Sequence, residues 1–279
     1  MISFPNCKIN LGLKIFDKRQ DGYHNLESIL YPINWFDSLE MVAANEFSFE
    51  TAGIQIDGRP EDNLCVKAYK LLKTRFNIPI VKIFLLKNIP QGAGLGGGSA
   101  DAAFMLKMLN QFFDLKIPLS SLQQFALQLG TDCPFFIENR PCIATGKGEQ
   151  LTPVNLDLSG FFIVVVYPGI ILSTSLAYTA LSENRTIKRD IIFSSEKNHS
   201  PITAAQLPIQ EWKQYLNNDF EEVIFQKFPE IESIKTQLYD QGAIYASMSG
   251  SGSAIYGIFR KRKRINLKKD YRVVCLNLS

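Results

Sequence analysis

Residues 90–100 read Pro90-Gln91-Gly92-Ala93-Gly94-Leu95-Gly96-Gly97-Gly98-Ser99-Ala100, with five glycines in seven residues. Glycine loses more conformational freedom on folding than any other residue, so packing alone does not account for that density. An apolar run, Val81 to Ile89, leads into the loop, and an almost wholly apolar helical segment leaves it. The loop therefore ends at a helix N-terminus, where unpaired N–H groups and the positive dipole end attract anions. Where side chains are missing, phosphate oxygens can reach the backbone. The predicted chemistry is polyphosphate binding. A flexible surface linker is the competing reading, and a place between two buried elements speaks against it.

Neither of two familiar phosphate motifs fits this loop in full. Gly92, Gly94 and Gly97 satisfy G-x-G-x-x-G, with Asp114 about 20 residues on. A dinucleotide fold needs that acid at the end of a second strand, but Asp114 follows a helical segment. The P-loop pattern fails, because Gly98 stands where its lysine belongs. A cation for the phosphates must come from elsewhere in the chain or from Mg²⁺.

Asn6, Lys8 and Asn10 alternate with apolar residues and share one strand face. They are either one wall of a site or a solvated outer face. In Gly130-Thr131-Asp132-Cys133-Pro134-Phe135-Phe136, Asp132 can serve as a general base or as a helix N-cap. Ser247-Met248-Ser249-Gly250-Ser251-Gly252-Ser253 is a second loop of small residues, suited to close backbone approach or to an ordinary turn. His24, in Asp21-Gly22-Tyr23-His24, reads alone as an exposed turn residue. The basic run Arg260 to Arg264 reads as a solvated loop.

These residues must be held by regular elements. Period-two alternation over residues 8–16 predicts a strand, and a second apolar segment spans Leu26 to Ile33. Asp62 or Asn63 can cap a helix carrying Leu64, Ala68, Leu71 and Leu72. Val81 to Ile89 reads as a strand, Ala100 to Leu109 as a buried helix, and Leu119 to Leu129 as a helix stopped by Gly130. Helices are expected over about 208–227 and 228–240. Strands are expected at Phe161–Tyr167, Ala254–Phe259 and Tyr271–Leu276. Strands and helices do not alternate regularly, so the fold class is α+β. The polar stretch Asn155 to Gly160 is the expected boundary between domains at 1–157 and 158–279.

The 279 residues correspond to about two domains. An apolar fraction of 46% with 20% charged residues excludes a disordered or collagen-like chain. Thirty basic against 27 acidic residues leave +3, too little to imply nucleic acid as a partner. Five cysteines without C-x-x-C argue against a disulfide framework or zinc ribbon and fit a reduced, cytoplasmic setting. With two histidines, His24 and His199, no poly-His metal site can be built. No run approaches the roughly 18 apolar residues of a membrane span, and residues 1–8 lack a signal-peptide pattern.

Taken together and in this order, the segments resemble the GHMP small-molecule kinases. The resemblance rests on Lys8-Ile9-Asn10-Leu11, Asp21-Gly22-Tyr23-His24, Gly94 to Ala103, Gly130 to Phe136 and the late Ser/Gly loop. It implies a two-lobed fold, with an N-terminal nucleotide-binding lobe and a C-terminal α/β sandwich lobe. The implied activity is ATP-dependent phosphorylation of the 2-hydroxyl of 4-diphosphocytidyl-2-C-methyl-D-erythritol, in non-mevalonate isoprenoid synthesis. The implied cofactors are ATP and Mg²⁺, with Ser99 as one possible protein ligand of the metal.

By the same resemblance, Lys8 and Asp132 are the catalytic pair. Pro90, Gly92, Gly94, Leu95, Gly96, Gly97, Gly98, Ser99 and Ala100 hold the triphosphate, with Asn63 and Lys87 near the adenine. Asn10 touches the methylerythritol part of the substrate, and Thr174 is a further substrate contact. Tyr23, His24 and Tyr178 hold its cytosine, Tyr178 standing where the family usually has Phe. Residues 181–208 match nothing in the family pattern. Two other classes compete: a dinucleotide-dependent dehydrogenase, resting on one weak motif, and a non-catalytic nucleotide-binding protein, against which the presence of both Lys8 and Asp132 argues. The sequence predicts neither a membrane nor a nucleic-acid partner and does not give the oligomeric state.

Overall fold

The structure is a computed structural model and describes residues 1–189, 200–268 and 270–278. In chain order the strands are β1 (Ile2–Ser3), β2 (Asn6–Lys18), β3 (His24–Phe36), β4 (Ser38–Ala43), β5 (Ser48–Gly53), β6 (Val81–Lys87), β7 (Cys142–Thr145), β8 (Gln150–Pro153), β9 (Phe162–Tyr167), β10 (Tyr245–Met248), β11 (Ile255–Phe259) and β12 (Arg272–Asn277). The helices are α1 (Leu64–Lys73), α2 (Gly97–Phe112), α3 (Leu119–Leu129), α4 (Cys133–Glu138), α5 (Thr174–Arg189), α6 (Pro201–Ala205), α7 (Trp212–Tyr215), α8 (Phe220–Lys227) and α9 (Pro229–Asp240). The expectation of α+β holds. His199 and part of the unmatched stretch 181–208 lie outside the described residues.

By its internal contacts the chain forms two compact units that interleave along the sequence. The first comprises Met1–Lys8, Trp35–Gln91 and Gly96–Arg140. Its sheet has the order β1-β4-β6-β5, with β4 antiparallel and β5 parallel to β6. Alternation sets the buried face: Leu39 pairs with Leu85 and Met41 with Ile83, all four buried. Lys87 falls in the same phase as Val81, Ile83 and Leu85, so the strand buries it too. Asn63 caps α1 by accepting from the Cys65 N–H at 2.9 Å. Helix α2 packs on α1 and α4, and its apolar circumference is matched by burial of Ala100, Ala102, Ala103, Met105, Leu106, Met108 and Leu109.

The second unit comprises Ile9–Asn34, Gly92–Leu95 and Pro141–Ser279. It holds the sheet β10-β11-β9-β12 and most of the sheet β2-β3-β7-β8. Strand β9 lies between β11 and β12, antiparallel to both, and Ile163 to Val166 are fully buried. A central strand covered on both faces needs that unbroken apolar run.

The helix expected over 208–227 is broken. Between α7 and α8 the backbone leaves helical form and bridges β2. The Leu13 N–H donates to the Asn217 carbonyl and the Asp219 N–H to the Leu13 carbonyl, both at 2.8 Å. The Asn218 amide donates to the carbonyls of Met248 and Gly250, each at 2.8 Å. Those bonds satisfy buried polar groups that a continuous helix would leave unpaired.

Candidate active site

In the first unit, Lys8 is 4% exposed, between the fully buried Cys7 and Ile9. Its ammonium lies 3.7 Å from Asp132 Oδ2, and the Asp132 side chain is 40% exposed. Asp132 stands at the N-cap position of α4 but makes no side-chain capping bond. The capping alternative is therefore set aside, and the reason is local. A capping side chain bonds the second or third N–H of its helix from an extended backbone; Pro134, at the second position, has no N–H, and Asp132 itself is helical (φ −83°, ψ −17°), which turns its side chain from the third. The carboxylate is left turned toward Lys8 and partly open to solvent.

The helix that follows the glycine loop begins at Gly97, with Gly96 as its N-cap in left-handed conformation (φ +69°). Gly96 has no side chain to cap with, so the first-turn N–H groups are left for a ligand. A Cβ on Gly96 would lie 3.2 Å from Lys8 Cε and 3.1 Å from Phe136 Cζ. Glycine here lets the Lys8 stem pass against the loop, which brings the ammonium and the helix N-terminus into one neighbourhood.

Gly97 and Gly98 differ. A Cβ on Gly97 would meet Ile89 Cγ2 at 2.8 Å and Lys87 Nζ at 3.1 Å, so its missing side chain serves interior packing. A Cβ on Gly98 would have Leu64 Cδ1, at 4.0 Å, as its nearest neighbour. Gly98 is the position that keeps space open at the helix end. Next to it, Ser99 is half-buried and hydrogen-bonds the Cys133 thiol. Burial pushes that thiol up to about 12, so Cys133 is not a nucleophile at neutral pH. Pro90 and Ala100 are buried.

Lys87 is held from the interior. Expected beside an adenine, its ammonium is instead buried between two carboxylates, bonding Asp37 and, at 2.7 Å, Asp101 Oδ2. Asn63, expected there too, has its side-chain oxygen on the cap of α1. Asp114, the acid that a dinucleotide motif would use, is exposed after α2 and pairs with Lys116 at 3.6 Å.

The second unit holds the other expected residues. Gly92 to Leu95 are pinned by the Ser/Gly loop and its neighbours. Ser249 Oγ donates to the Gly94 carbonyl at 2.8 Å, the Ala254 N–H to Ala93 at 3.1 Å, and the Leu172 N–H to Gly92 at 3.3 Å. A Cβ on Gly94 would collide with the Ser249 carbonyl. The close backbone approach suggested by the Ser/Gly loop is thus loop on loop. Leu95 is buried as an apolar anchor.

Asn10 is buried. Its amide donates to Ser28 Oγ at 2.9 Å, and Ser28 donates to the Gly12 carbonyl at 2.6 Å. His24 and Tyr178 form a stacked pair with ring centroids 4.9 Å apart and 17° between planes. The edge of Tyr178 also meets Phe220, at 5.0 Å and 87°. Tyr23, by contrast, is 57% exposed under the Lys147 ammonium, 4.7 Å from it. Thr174 is exposed at the start of α5, 3.3 Å from Ser251 Oγ.

Sequence reasoning passed over Asp37, Asp101 and Ser28. The phase of β6 could have flagged Lys87 as inward-facing, and an inward lysine needs buried carboxylates. No helix of the described residues is long and apolar enough to cross a membrane.

The GHMP kinases N terminal domain matches residues 63–139, and the GHMP kinases C terminal family matches 204–272. A 4-diphosphocytidyl-2-C-methyl-D-erythritol kinase from Bacteroides fragilis is 47% identical over 275 residues, covering 97% of this chain and 96% of that one. One from Parabacteroides distasonis is 49% identical over 263 residues, covering 94% and 92%. A crystal structure of 4-(cytidine 5'-diphospho)-2C-methyl-D-erythritol kinase superposes with a TM-score of 0.76 at 31% identity, covering 92% of this chain and 89% of that one. The Methanococcus jannaschii mevalonate kinase shares the fold, with a TM-score of 0.70 at 14% identity over 100% and 98% of the two chains. The chain belongs to the GHMP kinase family, and within it to the 4-diphosphocytidyl-2-C-methyl-D-erythritol kinases.

Proposed function

We propose that this chain transfers the γ-phosphoryl group of ATP to the 2-hydroxyl of 4-diphosphocytidyl-2-C-methyl-D-erythritol. The observation that carries the reading is the Lys8–Asp132 pair at 3.7 Å, with the Lys8 stem passing against Gly96 at the N-terminus of α2. Phosphoryl transfer to an alcohol requires an oriented hydroxyl, a proton acceptor and neutralisation of charge on the transferring group. The half-open carboxylate of Asp132 accepts the hydroxyl proton as the O–P bond forms. Lys8 holds that carboxylate in place and sets a positive charge beside it. The first-turn N–H groups of α2 are fixed donors for phosphate oxygens and need no reorganisation during the reaction.

In the second unit, Asn10 is assigned to the methylerythritol portion, Thr174 to a substrate contact, and His24, Tyr178 and Tyr23 to the cytosine. The stacked His24–Tyr178 pair supports an aromatic platform for a base. In the first unit, Asn63, Lys87, Pro90 and Gly96 to Ala100 are assigned to the nucleotide side, as are Gly92, Gly94 and Leu95 in the second. Lys87 acts there through the loop it anchors. The two family matches, 63–139 and 204–272, fall on either side of the proposed division at residue 157.

Mg²⁺ fits as a companion of the nucleotide. Among the described residues no group of three or more His, Cys, Asp or Glu side chains could hold a metal alone. Mg²⁺ commonly relies on phosphate oxygens, water and few protein ligands. Ser99 would hold it, and it would supply charge neutralisation on the phosphates.

A coupled assay of ADP release tests the reading. Release should depend on the cytidylyl substrate and be accompanied by a phosphorylated product. ADP release that is indifferent to that substrate, or no release with both substrates present, would overturn it.

A further inference from the structure

We propose that Asp37, Lys87 and Asp101 form a buried brace that fixes both ends of the phosphate-binding loop. The proposal rests on the kinase reading given above and assigns the three residues a positioning role.

Asp37 is fully buried just before β4, where its N–H donates to the Pro5 carbonyl at 2.9 Å. Its Oδ1 accepts from the N–H groups of Asn88 at 2.5 Å and Ile89 at 2.8 Å, the two residues that carry β6 toward the loop. Its Oδ2 accepts from Lys87 Nζ. The same ammonium donates to Asp101 Oδ2 at 2.7 Å, in the opening turns of α2 beyond the loop. One carboxylate thus clamps the entry, one ammonium crosses the loop's base, and a second carboxylate clamps the exit. Lys87 Nζ also lies 3.1 Å from where a Gly97 Cβ would stand, directly beneath the helix end that receives phosphate.

The chemistry argues for function over stability. Two acidic side chains around one ammonium are costly to bury, and Asp101 Oδ1 is buried with no hydrogen-bond partner. Apolar residues of similar volume commonly match or exceed the stability of such a cluster. What it supplies is directional, charge-assisted bonding that holds N–H groups in register, and that is the preorganisation an anion site needs.

The test is binding of a non-hydrolysable ATP analogue and, separately, of CDP to the full chain by calorimetry. Asp101→Ala leaves Lys87 and Asp37 as a charge-balanced pair while cutting the tie to α2. It should weaken the ATP analogue about tenfold, the worth of one charge-assisted hydrogen bond, and leave CDP within about twofold. Asp101→Asn, which keeps an acceptor for Lys87, should recover most of the loss. If Asp101→Ala does not fold, Asp37→Asn serves. It retains an acceptor for both loop N–H groups, removes the charge facing Lys87, and should also weaken the ATP analogue selectively.

Unchanged affinity for the analogue in the folded variant overturns the brace. So does equal weakening of both ligands with a lowered Tm, the mark of a merely structural role. If the parent fails to bind the analogue, the kinase reading and the brace fall together. If the parent binds it but shows no phosphoryl transfer to the cytidylyl substrate, only the kinase reading falls.

Discussion

Lys8 and Asp132 meet through their charged ends at 3.7 Å, one side chain 5% exposed and the other 40%. The asymmetry suits a base: the lysine is fixed by its strand, while the carboxylate keeps an open side for a hydroxyl. Asp132→Asn should therefore lower kcat by about 10²–10⁴, the usual scale for a lost general base. Because Asp132 makes no capping bond, the fold should be nearly untouched. A pair this exposed contributes about 0–1 kcal/mol to stability. Steady-state kinetics and a thermal melt check both statements. Activity within about threefold of the parent would remove the base role from Asp132.

Gly97 and Gly98 are neighbours with opposite consequences. Gly98→Ala places a methyl group in open space within a helix, where alanine is favoured over glycine by about 0.5–1 kcal/mol. It should hold or raise Tm while weakening ATP binding. Gly97→Ala drives a methyl group into Ile89 and Lys87 and should cost about 1–3 kcal/mol, the range for overpacking. Chemical denaturation together with nucleotide titration separates the two. Normal ATP affinity in Gly98→Ala would show that the triphosphate does not use the space above that residue.

Much of this was readable before any coordinates, for physical reasons that differ by element. Strand β2 and helix α3 announce themselves by periodicity. Strand β5 does not, because Ser48–Gly53 is almost wholly half-buried or exposed and leaves no apolar alternation. Helix α4 is buried from Cys133 to Ile137, so it shows no stripe. Lys8, Asp132 and the glycine loop were legible as residue types that demand a chemical use. Asp37 and Asp101 were not, since a lone acid in an apolar context does not reveal its partner. The interleaving of the units was equally hidden, because it depends on which distant segments Ile9–Asn34 packs among, and local pattern carries no record of that.

The aromatic pair makes a prediction about the cytidylyl substrate. His24 stacks on Tyr178 at 4.9 Å, whereas Tyr23 lies under Lys147. Tyr178→Ala should raise KM for that substrate about 10–100-fold, since one base stack is worth about 1–3 kcal/mol. KM for ATP should scarcely change. Tyr23→Ala should have the smaller effect, because its ring is not part of the stack. Initial-rate kinetics varying each substrate in turn decide it. A rise confined to KM for ATP would assign Tyr178 to the nucleotide instead.

Asp101 makes stability depend on pH with a definite sign. Burial, the largest influence, pushes its carboxyl above the ordinary value of 3.8; the Lys87 ammonium pulls it back and the Asp37 carboxylate pushes it up again. The folded protein therefore holds this proton more tightly than the unfolded chain does. A group of that kind contributes stability that is fully present below its unfolded value and is lost as pH rises through its folded value. Lys87 does not cancel the effect, because its own value is raised and it stays charged throughout this range. Asp101→Asn mimics the protonated carboxyl at every pH. Variant and parent should match in stability only below about pH 4, where the unfolded carboxyl is protonated too. Near pH 8 the variant should be the more stable by about 4 kcal/mol, the folded value being about 7 and each pKa unit of difference worth about 1.4 kcal/mol. Urea denaturation of both proteins at each pH measures the gap, and every other titrating group cancels in the comparison. A gap that stays constant from pH 5 to pH 8 would mean that Asp101 holds one charge state across the range, and the sign derived from its burial would be wrong.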